Sequence, residues 1–402
     1  MPYDIAIVGA GIVGLATARA LLERAPRTRI TLLDKEAKIA QHQTGHNSGV
    51  IHSGIYYKPG SYKAKLTVQG AQLMREFVKS RGLKTEPIGK VIVATSQAEI
   101  PRLQTLFERG TANGVAGLEM IDAARLKEIE PHAAAVKAIW SPATGIVDYS
   151  EVAETFAKEL TAAGAVIQTG AGVHAIARRA DGVTLETAKG PVTARRLINC
   201  SGLYSDRIAR MAGATPDVQI IPFRGEYYFI RPERCSLVQK LIYPVPDPEF
   251  PFLGVHFTRT VHGDVEAGPN AVLAFAREGY TFGRVRPGEF AQTLTFPGFW
   301  HMARKYWRTG AYEVYRSLST AAFVRALQKL VPDVTEADVI PGGAGVRAQA
   351  VAADGALVDD FRIVSAADSI HVLNAPSPAA TASLAIGRHI AALGVDTFGI
   401  PG

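Results

Sequence analysis

Gly9-Ala10-Gly11-Ile12-Val13-Gly14 is the stretch that decides the fold class of this 402-residue chain. It follows a short apolar run over residues 4–8 and precedes a helix-forming segment that ends near Arg24. A G-x-G-x-x-G turn between a strand and a helix is the fingerprint of a β-α-β unit that binds a dinucleotide. A second apolar run over residues 29–34 completes the unit and ends at Asp34, about 20 residues after the last glycine.

Each residue type in the fingerprint has a physical role. Gly9 permits a tight turn, Gly11 lets a pyrophosphate approach the backbone, and Gly14 lets the helix pack closely on the strand. The helix that begins at Ile12 and Val13 offers free N–H groups and a positive dipole end to the phosphates. We therefore expect these five residues to bind the cofactor.

Asp34 and its neighbour Lys35 are expected to line the same site, where the carboxylate would bind ribose hydroxyls. The fingerprint alone does not separate NAD from FAD. A similar pattern over residues 170–175 is followed by alternating residues and a turn at Asp181-Gly182, so it predicts a hairpin and not a second nucleotide site. The chain is expected to bind one dinucleotide, and its other substrate must be redox-active by itself.

Composition and charge set wider bounds. Hydrophobic residues make up 47% and charged residues 20% of the chain, which is typical of globular proteins. The net charge of +7 suits an acidic substrate, anionic lipid or nucleic acid, and does not choose among them. Two cysteines are too few for a disulfide framework, no apolar run is long enough to span a bilayer, and no export signal is visible. We expect a cytoplasmic protein.

Further motifs are distributed along the chain. They are NSGVIHSGIYY at 47–57, LINCSG at 197–202, PFRGEYY at 222–228, LGVHFT at 253–258, GPNA at 268–271 and NAPSPAAT at 374–381. Together with residues 3–36, these motifs resemble the D-amino-acid-oxidase-like FAD oxidoreductases over nearly the whole chain, and most closely the members that act on L-2-hydroxyglutarate. One departure is Asp34, since flavoproteins of this class usually carry Glu at that position.

The resemblance implies an FAD enzyme that oxidises L-2-hydroxyglutarate to 2-oxoglutarate. In such an enzyme a hydride passes from C2 of the substrate to flavin N5, and the electrons then pass to a quinone or oxygen. The alternative is an FAD-dependent amine or amino-acid oxidase of the same fold, with a substrate such as glycine or sarcosine.

The order of the predicted elements indicates an interleaved α/β fold. An α/β start, a β-rich middle and an α/β return predict a Rossmann-like FAD-binding domain that is interrupted twice. We assign residues 1–85, 147–212 and 336–402 to this domain. Residues 86–146 and 213–335 are assigned to an α+β substrate-binding or capping domain built on a mostly antiparallel sheet.

A second cofactor signal precedes the last predicted helix. Ser377 fits an N-cap, Pro378 fits the first helical position, and the small side chains of Ala379 and Ala380 let a planar ring approach the helix end. The helix N-terminus would stabilise negative charge that arrives on the flavin, although an ordinary helix packed on the sheet fits the same pattern. The resemblance adds these cofactor residues: Asn47, Ser48, Gly49, Val50, Val173, Ser201, Gly202, Arg347 and Thr381.

The oxidation of a 2-hydroxy acid requires a base for the hydroxyl proton, and histidine suits this role near neutral pH. His52 lies in a Gly- and Ser-rich loop soon after the second strand, where this fold places the flavin ring. His256 alternates with Val255 and Phe257 on a predicted strand of the middle domain. Both are catalytic candidates that the sequence does not rank, and a structural role for either, or a covalent flavin bond at His52, stays open.

The two carboxylates of such a substrate require cations. The resemblance assigns Arg347, in the segment Gly345-Val346-Arg347, to a substrate carboxylate, and the planar guanidinium suits a bidentate contact. Further substrate-binding candidates are the cations Arg224, Arg259 and Lys58 and the hydrogen-bonding side chains Tyr56, Tyr57 and Asn270. A surface ion pair is the alternative role for each of the arginines.

Neither a metal nor a nucleic acid is expected as a ligand. His42 and His46 have helical spacing but lie in a loop sequence, and no cysteine pair or carboxylate cluster accompanies them. No basic cluster with interleaved stacking aromatics stands out apart from residues 299–308.

Residues 296–308 combine large aromatic side chains with cations. This composition suits a bilayer interface beside anionic lipid, and it equally fits a helix that packs its aromatics inside the protein. We hypothesise peripheral attachment to the cytoplasmic face of the inner membrane, with a quinone as the electron acceptor.

Overall fold

The computed structural model describes residues 2–247 and 253–400. The strands, in chain order, are β1 (Tyr3–Val8), β2 (Ile30–Leu33), β3 (Val50–Ile51), β4 (Thr85–Glu86), β5 (Lys90–Ala94), β6 (Glu119–Asp122), β7 (Lys137–Ser141), β8 (Gly145–Val147), β9 (Val166–Gln168), β10 (Val173–Arg179), β11 (Gly182–Thr187), β12 (Gly190–Asn199), β13 (Val218–Ile230), β14 (Leu241–Pro244), β15 (His256–Arg259), β16 (Val265–Gly268), β17 (Val272–Leu273), β18 (Val339–Ala352), β19 (Arg362–Ala366) and β20 (Ser369–Asn374). The helices are α1 (Ile12–Arg24), α2 (Tyr62–Ser80), α3 (Ile100–Ala112), α4 (Ala123–Ile129), α5 (Tyr149–Ala162), α6 (Ser205–Met211), α7 (Pro287–Leu294), α8 (Pro297–Leu318), α9 (Thr320–Gln328) and α10 (Ala379–Phe398).

The first sheet has a parallel centre in the order β9-β2-β1-β12-β20. The antiparallel hairpin β10–β11 extends the early part of β12, and β19 pairs with β20. Every residue of β2 is buried, as are Ile5–Val8 of β1, which explains why these strands are continuous apolar runs. The hairpin confirms the prediction that residues 170–175 lead into a strand and a turn and not into a helix.

Helices α1, α2, α5 and α10 pack together on one face of this sheet. Gly387 of α10 lies against the backbone of Ala16 in α1, so that even a methyl group there would be crowded. The hydroxyl of Ser61 accepts the N–H of Ala64 and caps α2, as its sequence predicts. This layer holds the N-termini of α1 and α10 beside the same edge of the sheet.

The second sheet is mostly antiparallel and has the order β17-β13-β16-β15-β14-β5-β7-β6, with β18 paired to β13 along most of its length. Only the β14–β5 pair within it is parallel among the described residues. Helix α9 covers this sheet, where Phe323 and Leu327 are fully buried. The fold class is therefore confirmed as a Rossmann-like FAD-binding unit combined with an α+β unit on a mostly antiparallel sheet.

The boundaries between the two domains stay a prediction. Strands of the first sheet lie within residues 3–33, 166–199 and 362–374. Strand β18 belongs to the second sheet, although the sequence division assigns residues 336–402 to the first domain. Where it pairs with β13, Ile220 and Ile221 of β13 and Val346, Ala350 and Val351 of β18 are buried, which sequence order alone does not reveal.

A small third sheet has the order β3-β8-β4 and lies next to one of the catalytic candidates. His52 follows directly after β3. The last helix begins at Ala379, with Pro378 at the position before it and no side-chain cap, so the expected Ser377 cap with Pro378 inside the helix is wrong. Among the described residues, no helix combines the length and apolarity that a membrane crossing requires.

Candidate active site

The glycine-rich turn forms a tightly packed cradle after β1. Gly9 has a φ of +103°, and a side chain there would overlap the carbonyl of Cys200 at the end of the neighbouring strand. A side chain at Gly14 would overlap the carbonyl of Gly9. Only glycine fits these two positions, so the backbone at the start of α1 can approach a ligand closely.

Two side chains fix this turn from outside the fingerprint. Asp34 accepts the N–H of Ala10 at 2.9 Å and the N–H of Glu36 at 2.9 Å. Thr44 accepts the N–H of Ile12 at 3.1 Å and so takes one of the unpaired donors at the start of α1. The sequence reveals Asp34 through its spacing, whereas Thr44 lies in a loop with no motif that marks it.

A cavity of about 640 Å³ opens beside the turn. The cavity extends from the ends of β1 and β2 past the start of α1 to the start of α10. A dinucleotide binds along the same path in this fold. The predicted cofactor residues that line it are Gly9, Gly11, Ile12, Val13, Asp34, Lys35, Val173, Ser201, Gly202, Ala379 and Ala380. Lining residues that the sequence does not mark include Gln43, Thr44, Tyr204 and Arg207.

The remaining predicted cofactor residues build the loops around this cavity. Asn47 donates to the carbonyls of Gln43 and Thr44 and accepts the N–H of Gly49, so it closes a turn. A side chain at Gly49 would lie 2.6 Å from the carbonyl of Val147. Val50 pairs with β8, Ser48 lies close enough to the hydroxyl of Tyr243 to lower its pKa against burial, and Pro378 precedes α10. Their roles toward the cofactor stay predictions.

His52 is tied to the start of α10. Its N–H donates to the hydroxyl of Thr381 at 3.2 Å, and that hydroxyl donates to the carbonyl of Val50 at 3.0 Å. The imidazole Nδ1 is buried and has no hydrogen-bond partner among the described residues. Burial lowers the pKa of His52 well below its usual value, and the charges of Lys90 and His256 add to this effect.

His256, at the start of β15, lies beside Tyr243 with ring centroids 4.0 Å apart. Its Nδ1 is 2.9 Å from the carbonyl of Gly254. A carbonyl only accepts, so Nδ1 carries the proton and Nε2 carries the lone pair of the neutral ring. Burial lowers the pKa of His256 to about 3, and Arg347 and Lys90 act in the same direction against the Gly254 carbonyl. Both histidines are therefore neutral near pH 7.

The structure separates the predicted cations by their partners. Arg347, on β18, lies within electrostatic range of His256, whose pKa it lowers. It also lies within range of Tyr227, Glu313 and Tyr243, which raise the pKa of Arg347 against the effect of burial. Arg224 is buried, but its guanidinium donates to one carboxylate oxygen of Glu226 at 2.8 and 3.0 Å.

Arg259 donates to the carbonyl of Val238 at 3.2 Å, and Lys58 is exposed. Asn270 holds both the N–H and the carboxylate of Glu226. Tyr57 is half-buried and lies over the ammonium of Lys63 at 5.1 Å. Of the predicted cations, Arg347 is therefore the one whose charge affects a candidate catalytic histidine, His256.

Lys90 is a site residue that the sequence does not mark. It begins β5, and its side chain is only 1% exposed. Its Nζ lies 4.6 Å from the ring centroid of Tyr56 and 4.9 Å from that of Tyr243. A lone lysine in front of an apolar strand carries no motif, so only the assembled site reveals it.

A cluster of possible metal ligands lies elsewhere, at Glu36, His42 and Glu278. The ammonium of Lys35 sits among them, with ion pairs to Glu36 and to Glu278. This protein cation already balances the two carboxylates, and the cluster gives no reason to place a metal there.

Comparisons with known proteins agree with this geometry. Residues 4–393 match the family described as DAO, FAD dependent oxidoreductase. A curated L-2-hydroxyglutarate dehydrogenase from Indibacter alkaliphilus is 51% identical over 399 residues, which cover 99% of this chain and 100% of the relative. The mitochondrial L-2-hydroxyglutarate dehydrogenase of Homo sapiens is 48% identical over 411 residues, which cover 97% of this chain and 88% of the relative.

Solved structures show the same fold. The FAD-bound L-alpha-glycerophosphate oxidase of Mycoplasma pneumoniae superposes with a TM-score of 0.80 at 23% identity, covering 98% of this chain and 94% of that chain. Glycine oxidase from Geobacillus kaustophilus gives 0.72 at 19% identity, with coverage of 98% and 94%. The chain belongs to the DAO family of FAD-dependent oxidoreductases. Within that family, its curated relatives place it with the L-2-hydroxyglutarate dehydrogenases.

FAD is the cofactor of this family, and the residues present fit it. Glycines at the phosphate position, a carboxylate at the ribose position and a small-residue helix start at the far end all line the one cavity beside the turn. When bound there, FAD supplies a two-electron acceptor for hydride.

Proposed function

We propose that the chain oxidises L-2-hydroxyglutarate to 2-oxoglutarate. The observation that supports this most strongly is the cluster of two neutral histidines, His52 and His256, with two basic side chains. Lys90 lowers the pKa of both histidines, and Arg347 lowers that of His256. An alcohol needs a proton acceptor, whereas a dicarboxylate needs positive charge. The curated bacterial and human relatives act on this substrate according to their names.

His52 is assigned as the proton acceptor. The reaction removes a hydride from C2 of the substrate and a proton from its hydroxyl, and leaves a ketone. The Nδ1 of His52 is buried and without a partner among the described residues, so a substrate hydroxyl can donate to it. Thr381 holds the backbone of His52 against α10, next to the small side chains of Ala379 and Ala380 that line the cofactor cavity.

Arg347 is assigned to the carboxylate next to C2. Tyr227 lies close enough to affect its pKa, and burial lowers that pKa from its usual value. A partly buried guanidinium gives a strong bidentate contact with a carboxylate, because little water competes for it. An amine substrate has no hydroxyl proton for His52 to accept, which disfavours the amine-oxidase alternative.

Anaerobic mixing tests the function. The FAD-loaded protein is mixed with L-2-hydroxyglutarate, D-2-hydroxyglutarate, glycine or sarcosine, and the visible spectrum is recorded. We expect bleaching of the flavin by the L-enantiomer only. A spectrum that stays oxidised with L-2-hydroxyglutarate, or that bleaches faster with glycine or sarcosine, would refute the proposal.

The electron acceptor is proposed to be a quinone reached at a membrane surface. Helix α8 buries Phe299 and Met302 in the protein, while Trp300 and Trp307 are 57% and 62% exposed. A second cavity of about 470 Å³ lies against the same helix and has a mainly apolar lining. The exposed tryptophans, next to Lys305 and other cations, suit the headgroup region.

Liposome flotation tests this attachment. The intact protein should float with vesicles that contain anionic lipid, and the double variant Trp300→Ser/Trp307→Ser should stay in the dense fraction. Tyr62→Ser is the control, since Tyr62 is also an exposed aromatic (59%) but lies on α2. Flotation of the double variant to the same extent as the intact protein would exclude this surface.

A further inference from the structure

Lys90 is a buried lysine that lacks an anionic partner among the described residues. Burial alone lowers its pKa, and no carboxylate in the described ranges counters that effect. Its ammonium is flanked by the faces of Tyr56 and Tyr243 instead. Aromatic faces attract a cation but leave its N–H donors without acceptors, so the group is only partly satisfied.

Lys63 shows how this chain treats a buried lysine that has only a structural role. Its side chain is also largely buried, and it also lies over a tyrosine ring, that of Tyr57 at 5.1 Å. However, Nζ of Lys63 donates to the carboxylate of Asp359 at 2.8 Å and to the carbonyl of the same residue at 2.9 Å. Lys90 differs from Lys63 in its hydrogen bonding, because the described part of the chain provides no oxygen ligand for its ammonium.

Two further polar atoms near Lys90 are also unpaired. The hydroxyl of Tyr56 and Nδ1 of His52 are buried without a hydrogen-bond partner among the described residues. The charge of Lys90 affects His52, and the ring of Tyr56 contacts the ammonium directly. Buried polar groups are nearly always paired, so two unpaired buried atoms beside a lysine with no oxygen ligand in the described structure indicate a ligand that carries oxygen atoms.

We propose that Lys90, assisted by the Tyr56 hydroxyl, binds the substrate carboxylate remote from C2 and thereby selects dicarboxylates. This inference rests on the proposed function, in which His52 meets the C2 hydroxyl and Arg347 meets the nearer carboxylate. The remote carboxylate supplies the anion that Lys90 lacks and the acceptor that the Tyr56 hydroxyl lacks. Arg224 cannot supply this charge as readily, because Glu226 already neutralises it.

The test compares two ligands of equal carbon number. 2-Oxoglutarate carries the remote carboxylate, and 2-oxopentanoate carries a methyl group in its place. Dissociation constants are measured on the FAD-loaded protein from the change that each ligand causes in the flavin spectrum. We expect Lys90→Met to weaken 2-oxoglutarate by about 30- to 100-fold and to change 2-oxopentanoate by less than about threefold, as for the loss of a hydrogen bond to a charged group.

The matched control is Lys63→Met, which should keep the preference for 2-oxoglutarate. Tyr56→Phe removes only a hydroxyl and should weaken 2-oxoglutarate by a few-fold. If Lys90→Met weakens both ligands equally, or neither, the assignment of Lys90 is wrong. If the unchanged protein does not prefer 2-oxoglutarate and is not reduced by L-2-hydroxyglutarate, the proposed function fails instead.

A second measurement needs no variant. A bound carboxylate favours the charged ammonium, so binding of 2-oxoglutarate at pH 8 should take up close to one proton. Titration calorimetry in two buffers of different ionisation enthalpy measures that uptake. An uptake near zero would overturn the proposal even if Lys90→Met failed to fold, and 2-oxopentanoate should show none.

Discussion

The carboxylate of Asp34 and the backbone N–H of Ala10 are joined by a hydrogen bond of 2.9 Å. The second oxygen of the same carboxylate accepts the N–H of Glu36. Asp34 therefore fixes the glycine-rich turn from the end of β2, in addition to the ribose contact that its spacing predicts. The shorter reach of Asp, compared with the Glu usual at this position, suits a carboxylate that bonds to the backbone this closely.

Replacement of Asp34 by alanine should weaken FAD binding. Two hydrogen bonds to a charged acceptor are lost, each worth about 1.5–3 kcal/mol, and part of that loss falls on the cofactor that the turn supports. We expect the dissociation constant for FAD to rise about 10- to 100-fold in a fluorescence titration of the apoprotein. Asp4→Ala, at the exposed end of β1, should leave it unchanged, and an unchanged constant in Asp34→Ala would contradict this role of Asp34.

Replacement of Gly14 by alanine should destabilise the protein and prevent FAD retention. The added methyl group would overlap the carbonyl of Gly9, and moving this backbone away would cost free energy because the turn is tightly packed. Gly310→Ala is the matched control, because it lies in α8 with open space around the new methyl group. Urea unfolding should show a loss of several kcal/mol for the first variant and a gain of up to about 1 kcal/mol for the second.

The pH profile should report the low pKa values of the two histidines. Both rings stay neutral well below pH 6.5, so kcat/KM should show no loss between pH 7 and pH 5.5. His52→Gln should lower kcat by about 10²- to 10⁴-fold. His132→Gln, an exposed histidine paired with Asp333, serves as the control. A clear decline centred near pH 6.5 would mean that the catalytic histidine is not buried in this way.

Lys90 should make the stability of the ligand-free protein depend on pH. Burial lowers its pKa from 10.5 to about 7. Between these values the unfolded chain holds a proton that the folded chain lacks, so stability rises with pH by up to about 1.4 kcal/mol per unit. Urea unfolding at pH 7, 8 and 9 should show this slope in the protein and in Lys63→Met. Lys90→Met should lose it, and an equal slope in all three would disprove the burial of a neutral Lys90.

The sequence reveals residues that belong to a local motif better than residues that reach the site only when the chain folds. Gly9, Gly14 and Asp34 are recognisable because the dinucleotide turn depends on local backbone shape, which short-range spacing encodes. Thr44 binds the same turn from a loop 32 residues away and carries no local signal. The sequence places the start of α10 one residue early, since helix ends depend on the packing that surrounds them.

The partners of the basic side chains also could not be predicted from the sequence. Arg224, Arg259 and Lys58 are reasonable carboxylate ligands by residue type, yet Glu226 and the Val238 carbonyl occupy the first two. Lys90 has no such partner within the described ranges and lies between two rings that come from distant segments of the chain. Residue type determines which charge is available, and the fold determines whether another group has already neutralised it.

The linear order of residues by itself determined the nucleotide-binding unit, because the turn rests on a short motif whose geometry is local. The motifs along the chain indicated the FAD family and both histidine candidates through their resemblance to known members. Only the tertiary structure decided that Glu226 holds Arg224, that the Val238 carbonyl holds Arg259, and that Lys90 has no oxygen ligand in the described part of the chain. Burial and ion pairing depend on which segments meet across the sheets, and the free energy of a buried charge is set by those neighbours.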